Sequence, residues 1–261
     1  MTEGLNVLHL SPWQMLLAAF SGLVIGASKT GLAGIGFLAF PILADIFGAR
    51  ASTGVALPML LLADFVAVGY YNRHASWRHL VKLMPWVLLG IAAALILGKN
   101  ASERLFSALF AGTLLAGIAL LVWRDLRKPA IEVPDSAWFC GSMGLSAGFA
   151  TMIGNAAGPV MSLYLLSMRL PKTVFIGTGA WFYLTVNLVK VPLHVFVWHT
   201  ISLRTLTFDI AVSPFILLGV VLGIYIVKRL GESVYRVLVM TSVSLAAVLL
   251  IAKLLVAVTS G

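Results

Sequence analysis

The sequence predicts an all-α polytopic membrane protein, made of two inverted-topology repeats of about five helical segments each, with short or broken helices at Gly-rich breaks. Three observations lead there. Hydrophobic residues make up 61% of the 261 positions and charged residues only 10%, whereas a soluble domain carries roughly a quarter charged residues. Two polar, Gly-rich breaks interrupt sequence that is otherwise too apolar for anything but a bilayer: Gly26 to Gly36 and Gly148 to Pro159. The two halves of the chain also resemble each other. Runs such as Val87 to Leu97 lack the alternation of barrel strands.

Ten apolar segments follow in order, at 12–27, 31–47, 53–71, 80–98 and 104–123, then 137–153, 157–168, 173–197, 205–227 and 233–257. The first two of each half flank a break and fall short of the ~20 residues that cross a bilayer, so they read as half-helices or hairpins. The longest hydrophilic stretch, Arg124 to Ser136, reads as a linker. It divides the chain into a first membrane repeat (1–123), a cytoplasmic linker (124–136) and a second membrane repeat (137–261). Met1 to Leu10 lacks the basic flank of a signal peptide, and the first segment is expected to be retained.

A shift of 129 residues aligns Pro85-Trp86-Val87-Leu88-Leu89-Gly90 with Pro214-Phe215-Ile216-Leu217-Leu218-Gly219, and continues through Lys99/Lys228 and Glu103/Glu232. Near the breaks a shift of 122 pairs Gly22/Gly144, Gly26/Gly148 and Gly36/Gly158. Loop charges then set the orientation. If each half crosses an odd number of times, one side receives Arg73, Arg78, Lys82, Arg124, Arg127, Lys128, Arg169, Lys172, Lys228, Arg229 and Arg236. The other receives Arg50, Lys99, Arg104, Arg204 and Lys253, a split of eleven to five. Four crossings per half give eight to eight. The positive-inside rule favours the inverted arrangement, with the linker in the cytoplasm and both termini outside. The same clusters account for the net charge of +9 without nucleic acid, since no loop is long enough to form a soluble binding domain.

Irregular backbone within a bilayer is tolerated where protein surrounds it or a wet cavity touches it. Paired breaks therefore point to a transport site. In the first, Lys29 is either a snorkelling topology lysine or a site cation assisted by Ser28, Thr30 and free backbone N–H groups, with Gly31, Gly34 and Gly36 allowing close approach. In the second, Thr151, Asn155 and Gly158 are the counterparts. Asn155 is either a donor to an oxyanion or helix-packing glue. Asp64 lies deepest in an apolar run and defaults to a functional reading. It either pairs with Lys190 as a structural ion pair or couples protons. Asp45 and Asp209 sit near segment ends and read as interfacial. His194 reads as a packed histidine, and Cys140 as a buried inert thiol with no metal spacing around it. The tryptophans mostly flank segments as an interfacial belt. Trp181 is the exception, either lining a cavity or packing in the core. No hydrolase triad and no P-loop are present, so neither an enzyme nor a cofactor is expected.

The first break, Gly22-Leu23-Val24-Ile25-Gly26-Ala27-Ser28-Lys29-Thr30-Gly31-Leu32-Ala33-Gly34-Ile35-Gly36 with Pro41-Ile42-Leu43 after it, resembles that of the sulfite exporter TauE/SafE family. Gly154-Asn155-Ala156-Ala157-Gly158-Pro159, leading into Ser162-Leu163-Tyr164-Leu165, is similar to its second-half motif. The resemblance implies a transporter of small sulfur-containing anions, sulfite or organosulfonates, usually moved outward. This chain has Ser28-Lys29 where many relatives carry small residues. The expectation is a secondary transporter working by alternating access in a bacterial inner membrane. Its partners are a small anion and the lipid bilayer, with a homodimer as an open assembly. A passive anion channel, a non-transporting subunit and an intramembrane enzyme are the alternatives.

Overall fold

The computed structural model describes residues 10–32, 35–126 and 137–231, with 233, 234, 237 and 241 beyond them. The last apolar segment, the linker residues 127–136, Gly34 and Glu232 therefore lie outside the described residues, apart from those four positions. Among the described residues the chain is all helical. The helices are α1 (Pro12–Lys29), α2 (Ala39–Phe47), α3 (Ala49–Tyr71), α4 (Trp77–Lys99), α5 (Glu103–Leu126), α6 (Ala137–Gly154), α7 (Gly158–Ser167), α8 (Lys172–Phe196) and α9 (Leu203–Arg229).

Local chemistry explains several boundaries. Ser11 caps α1 in a capping box with Gln14, and Pro12 fills the first turn where its missing N–H costs nothing. Ser202 and Thr205 build the same box at α9. Gly48 takes a φ of 84°, which lets α2 turn directly into α3. Among the described residues four helices are long and apolar enough to cross a membrane: α3 with the short 3-10 turn after it, α4, α8 and α9. By contrast, α7 has 10 residues, a rise of roughly 15 Å, about half of a ~30 Å hydrocarbon core. The stretch Ile35–Phe47 is similarly short.

Contacts fix the helix directions. Along α1, Gly22 meets Val212, Gly26 meets Ile216 and Val220, and Thr30 meets Gly223, so α1 and α9 run parallel. Tyr70, at the end of α3, lies under the ammonium of Lys228 near the end of α9. Phe47, just before α3, packs on Phe208 near the start of α9. So α3 shares their direction. Helix α8 runs against α3, because Gly54 abuts Thr200 while Gly177 abuts Tyr71 and His74. Helix α4 runs with α8, with Trp77 on Trp181 and Gly98 on Trp198, and α6 runs with α4.

Two crossings carry the architecture, α1 on α9 and α4 on α6. A Cβ on Gly26 would collide with the Ile216 carbonyl oxygen, and one on Gly219 with the Leu23 carbonyl oxygen. A Cβ on Gly148 would collide with the Val87 carbonyl oxygen, and one on Gly90 with that of Leu145. Offsets of 122 and 129 residues convert each atom of one crossing into its counterpart in the other. The two crossings are thus the same contact made twice, each joining a helix of one half to a helix of the other. Small residues at such crossings allow the close backbone approach on which helix association in lipid depends.

Helices α3 and α8 occupy the centre, with 67% and 61% of their most apolar stretches buried, against 33% for α4 and for α9. The outer helices turn Val81, Ile96, Ile210 and Val221 outward, an apolar surface suited to lipid. Trp13, Trp77 and Trp138 are exposed at helix starts, as an interfacial belt requires, whereas Trp86 lies near the middle of α4 and packs on Gly141 and Gly144. Trp198 departs from that expectation. It is buried against Phe106 and His194, because the loop after α8 folds back over Gly98. Asp209 likewise departs from the interfacial expectation: its side chain is buried, and neither carboxylate oxygen has a hydrogen-bond partner among the described residues.

The repeated crossing makes a paired expectation. Gly26→Ala and Gly148→Ala should each destabilise the protein by about 2 kcal/mol or more, because backbone, not a flexible side chain, blocks the new methyl. Gly69→Ala and Gly112→Ala, where nothing lies within 4 Å, should be neutral or slightly stabilising. Thermal melting of the four variants in detergent measures the difference.

Candidate functional site

Each break ends a helix and starts another. Asn155 closes α6 in the left-handed region, with φ 55°, a conformation that Asn tolerates better than most residues. Its N–H bonds to the Thr151 carbonyl at 3.0 Å and so completes the turn. The reversal aims its amide at the neighbouring helices. Nδ2 donates to the Thr53 carbonyl at 3.1 Å, and Oδ1 accepts from Lys190 Nζ. In the first break Lys29 stands in the last turn of α1. Its ammonium lies 2.9 Å from Asp64 Oδ1 and 3.9 Å above the Tyr183 ring.

These contacts join into one buried network. Asp64 Oδ2 accepts from Asn187 Nδ2 at 2.6 Å, and Asn187 Oδ1 accepts from Lys190 Nζ at 3.3 Å. Thr151 Oγ1 also accepts from Lys190 at 3.3 Å. Asp64 and Lys190 are fully buried, and Asn187 nearly so. Isolated charges in such surroundings are costly unless paired and hydrogen-bonded. The direct ion pair of Asp64 is with Lys29. Lys190, the partner expected from sequence, is reached through Asn187 instead. Two ammonium groups thus share one carboxylate. No other carboxylate contacts either lysine among the described residues, which leaves the cluster one formal positive charge in excess.

A cavity enclosing about 480 Å³ of space between atoms, part of it open to the outside, lies against this network. Gly36 and Gly158, the matched glycines of the two breaks, both line it. Ser28, Lys29, Asn155 and Ser162 supply its polar wall, and Phe37, Phe40, Leu60 and Tyr183 its apolar one. Helix α7 starts at this wall with no side-chain cap on its first turn. Uncapped helix N-termini offer N–H groups and a partial positive charge to anions. A smaller cavity of about 350 Å³ adjoins it through Ser28, Lys29, Ser162 and Tyr183.

Other residues singled out from sequence fall elsewhere. Thr30 is fully buried and bonds to the Val220 carbonyl at 3.1 Å, so it fastens α1 to α9 and does not face the cavity. Trp181 lines neither cavity. Its ring packs on Trp77, and its indole N–H bonds to the Asn72 carbonyl at 3.4 Å. Asn187, Tyr183 and Ser162 join the site without having been singled out as site residues. A signal existed for two of them. Tyr183, Asn187, Lys190 and His194 recur at the spacing of one face of a helix. His194 ends that stripe, fully buried, with Nδ1 2.7 Å from Thr200 Oγ1. No group of three or more metal-ligating side chains occurs among the described residues.

The network sets a stability expectation. Asp64→Asn leaves two buried lysines with no carboxylate and should destabilise the protein by about 3–5 kcal/mol. Adding Lys29→Met should restore most of that loss, and adding Lys190→Met distinctly less, because only Lys29 touches the carboxylate directly. A double-mutant cycle on melting temperature separates the two.

A family model described as sulfite exporter TauE/SafE matches residues 18–250, nearly the whole chain. No curated protein and no solved structure matches the chain.

Proposed function

The chain belongs to the sulfite exporter TauE/SafE family, a family of membrane transporters, and on that premise we propose that it is a secondary transporter of a small anion. Sulfite or a small organosulfonate is the first candidate, moved outward across a bacterial inner membrane. The observation that carries the reading is the charge of the buried cluster. Lys29 and Lys190 share the single carboxylate of Asp64, so an anion entering beside Lys29 neutralises the surplus. Low dielectric makes that neutralisation worth more than in water. Asn155, Ser162 and the start of α7 add uncharged donors at the same wall, the groups an oxyanion needs once its water is stripped.

The helix directions support an inverted repeat with halves 1–123 and 137–261. Matched by the 122- and 129-residue shifts and by the order of segments, α1 corresponds to α6, α3 to α8 and α4 to α9. In each pair the two helices run in opposite directions. Asp64 and Asn187, which bond to each other, are each the sixteenth residue of their helix, α3 and α8. The anion cavity therefore lies where the two halves meet, the arrangement in which rocking one half against the other exposes a fixed site to alternate sides.

Binding of sulfite, sulfoacetate, taurine, lactate and acetate to the purified protein tests this reading. At least one anion should bind saturably, and Lys29→Gln should weaken it by at least about 1.4 kcal/mol, tenfold in affinity. Counterflow of that anion in liposomes should follow, as it does for a carrier and not for a channel. Unchanged affinity in Lys29→Gln would leave this lysine as the structural partner of Asp64 alone.

A further inference from the structure

The two cavities share Ser28, Lys29, Ser162 and Tyr183. They also lie at different depths. The smaller is bounded by Phe175, Ile176 and Gly31, at the end of the molecule where α8 begins and α1 finishes. The larger is bounded by Leu60 and Asn155, further down α3 and α6, at the level where Asn155 bonds to Thr53. The shared residues form a partition between them.

We propose that the two cavities are consecutive stations on one anion path and that the Tyr183 ring is the gate between them. This rests on the transport reading and deepens it. The gate has the required parts. Lys29 holds the ring from the α1 side at 3.9 Å, through the attraction of an ammonium for an aromatic face. The ring is the weaker of the two contacts of Lys29, which also pairs with Asp64 at 2.9 Å, so an anion arriving on the ring side of the ammonium displaces the ring and leaves the ion pair in place. A glycine leaves about a methyl group of slack beside the ring. Gly179 lies one turn earlier on α8, and a Cβ there would stand 3.8 Å from Tyr183 Cε2 and 3.9 Å from Leu165 Cδ1, ordinary contact without crowding. On the far side, nothing lies within 4 Å of a Cβ placed on Gly158. Tyr183 also shares its helix face with Asn187 and Lys190, so the gate and the charge network ride on the same helix.

Thiol labelling tests the gate without any anion. The chain has one cysteine, Cys140, which is buried and is first replaced by Ala. Single cysteines then go to the smaller cavity, Ile176→Cys, and to the larger, Phe40→Cys. A membrane-impermeant maleimide is applied to sealed vesicles of both orientations. From the side where α8 begins, Ile176→Cys should label at least about tenfold faster than Phe40→Cys. Adding Tyr183→Ala should raise the Phe40→Cys rate from that side at least about tenfold and leave Ile176→Cys within about twofold. Tyr183→Phe keeps the ring and should change neither rate. If Tyr183→Ala does not fold, Tyr183→Leu takes its place with the same direction of change. A Phe40→Cys rate indifferent to loss of the ring overturns the gate, as does a Tyr183→Phe variant that behaves like Tyr183→Ala. Anion affinity in Lys29→Gln is read separately, so the failure of the gate and the failure of the anion site give different results.

Discussion

Two ammonium groups and one carboxylate lie buried among apolar helices, and the rest of the arrangement answers to them. A charge at such depth persists only where protein supplies the hydrogen bonds that water would give. Asp64 takes an ion pair from Lys29 and an amide N–H from Asn187. Lys190 has no carboxylate of its own and is held by three neutral oxygens, those of Thr151, Asn155 and Asn187. Asn155 reaches Lys190 because α6 stops there in a left-handed turn. The break in the helix and the satisfaction of the lysine are thus one structural event. The formal surplus of one positive charge is what supports the proposed anion site, since a simple ion pair would balance.

That cluster is shared between the halves, and packing holds the halves together around it. Lys29 and Asp64 come from the first half; Thr151, Asn155, Asn187 and Lys190 come from the second. The glycine crossings α1 on α9 and α4 on α6 interleave the same two halves, so neither half can be removed without opening the other. In lipid, where burying apolar surface gives little advantage, close backbone packing supplies much of the cohesion between helices. Four glycines at two equivalent crossings supply it here. The central pair α3 and α8 is then free to carry polar side chains on its inner faces.

Much of the fold was legible in the sequence. Helix positions followed from apolar run length: eight of the nine described helices have ends within four residues of the expected segments, while α2 starts eight residues into its segment, after a 3-10 turn. The register between halves followed from Pro85 and Pro214, Gly90 and Gly219, Gly26 and Gly148, residues whose backbone roles resist substitution. Lys29 and Asn155 stood out because polar residues in a Gly-rich break have few other uses. What could not be read is tertiary. That Asp64 meets Lys29 depends on the end of α1 lying beside the middle of α3, which no spacing in the chain encodes. Thr30 is one residue from Lys29, yet a helix turns about 100° per residue, which sends it to α9 and away from the cavity. Trp198 and Asp209 sit near segment ends, where hydropathy cannot tell a buried corner from an interface. Tyr183 was one aromatic among many, and only its helix face, shared with Asn187 and Lys190, set it apart.

One anion is expected at the meeting of the two breaks, against Lys29. An anomalously scattering oxyanion such as selenite, soaked into crystals of the protein, locates that position directly. The account requires a peak between Gly36 and Gly158, within ion-pair distance of Lys29 Nζ. Saturable selenite binding in solution, with its peak at any other place on the protein, would contradict it.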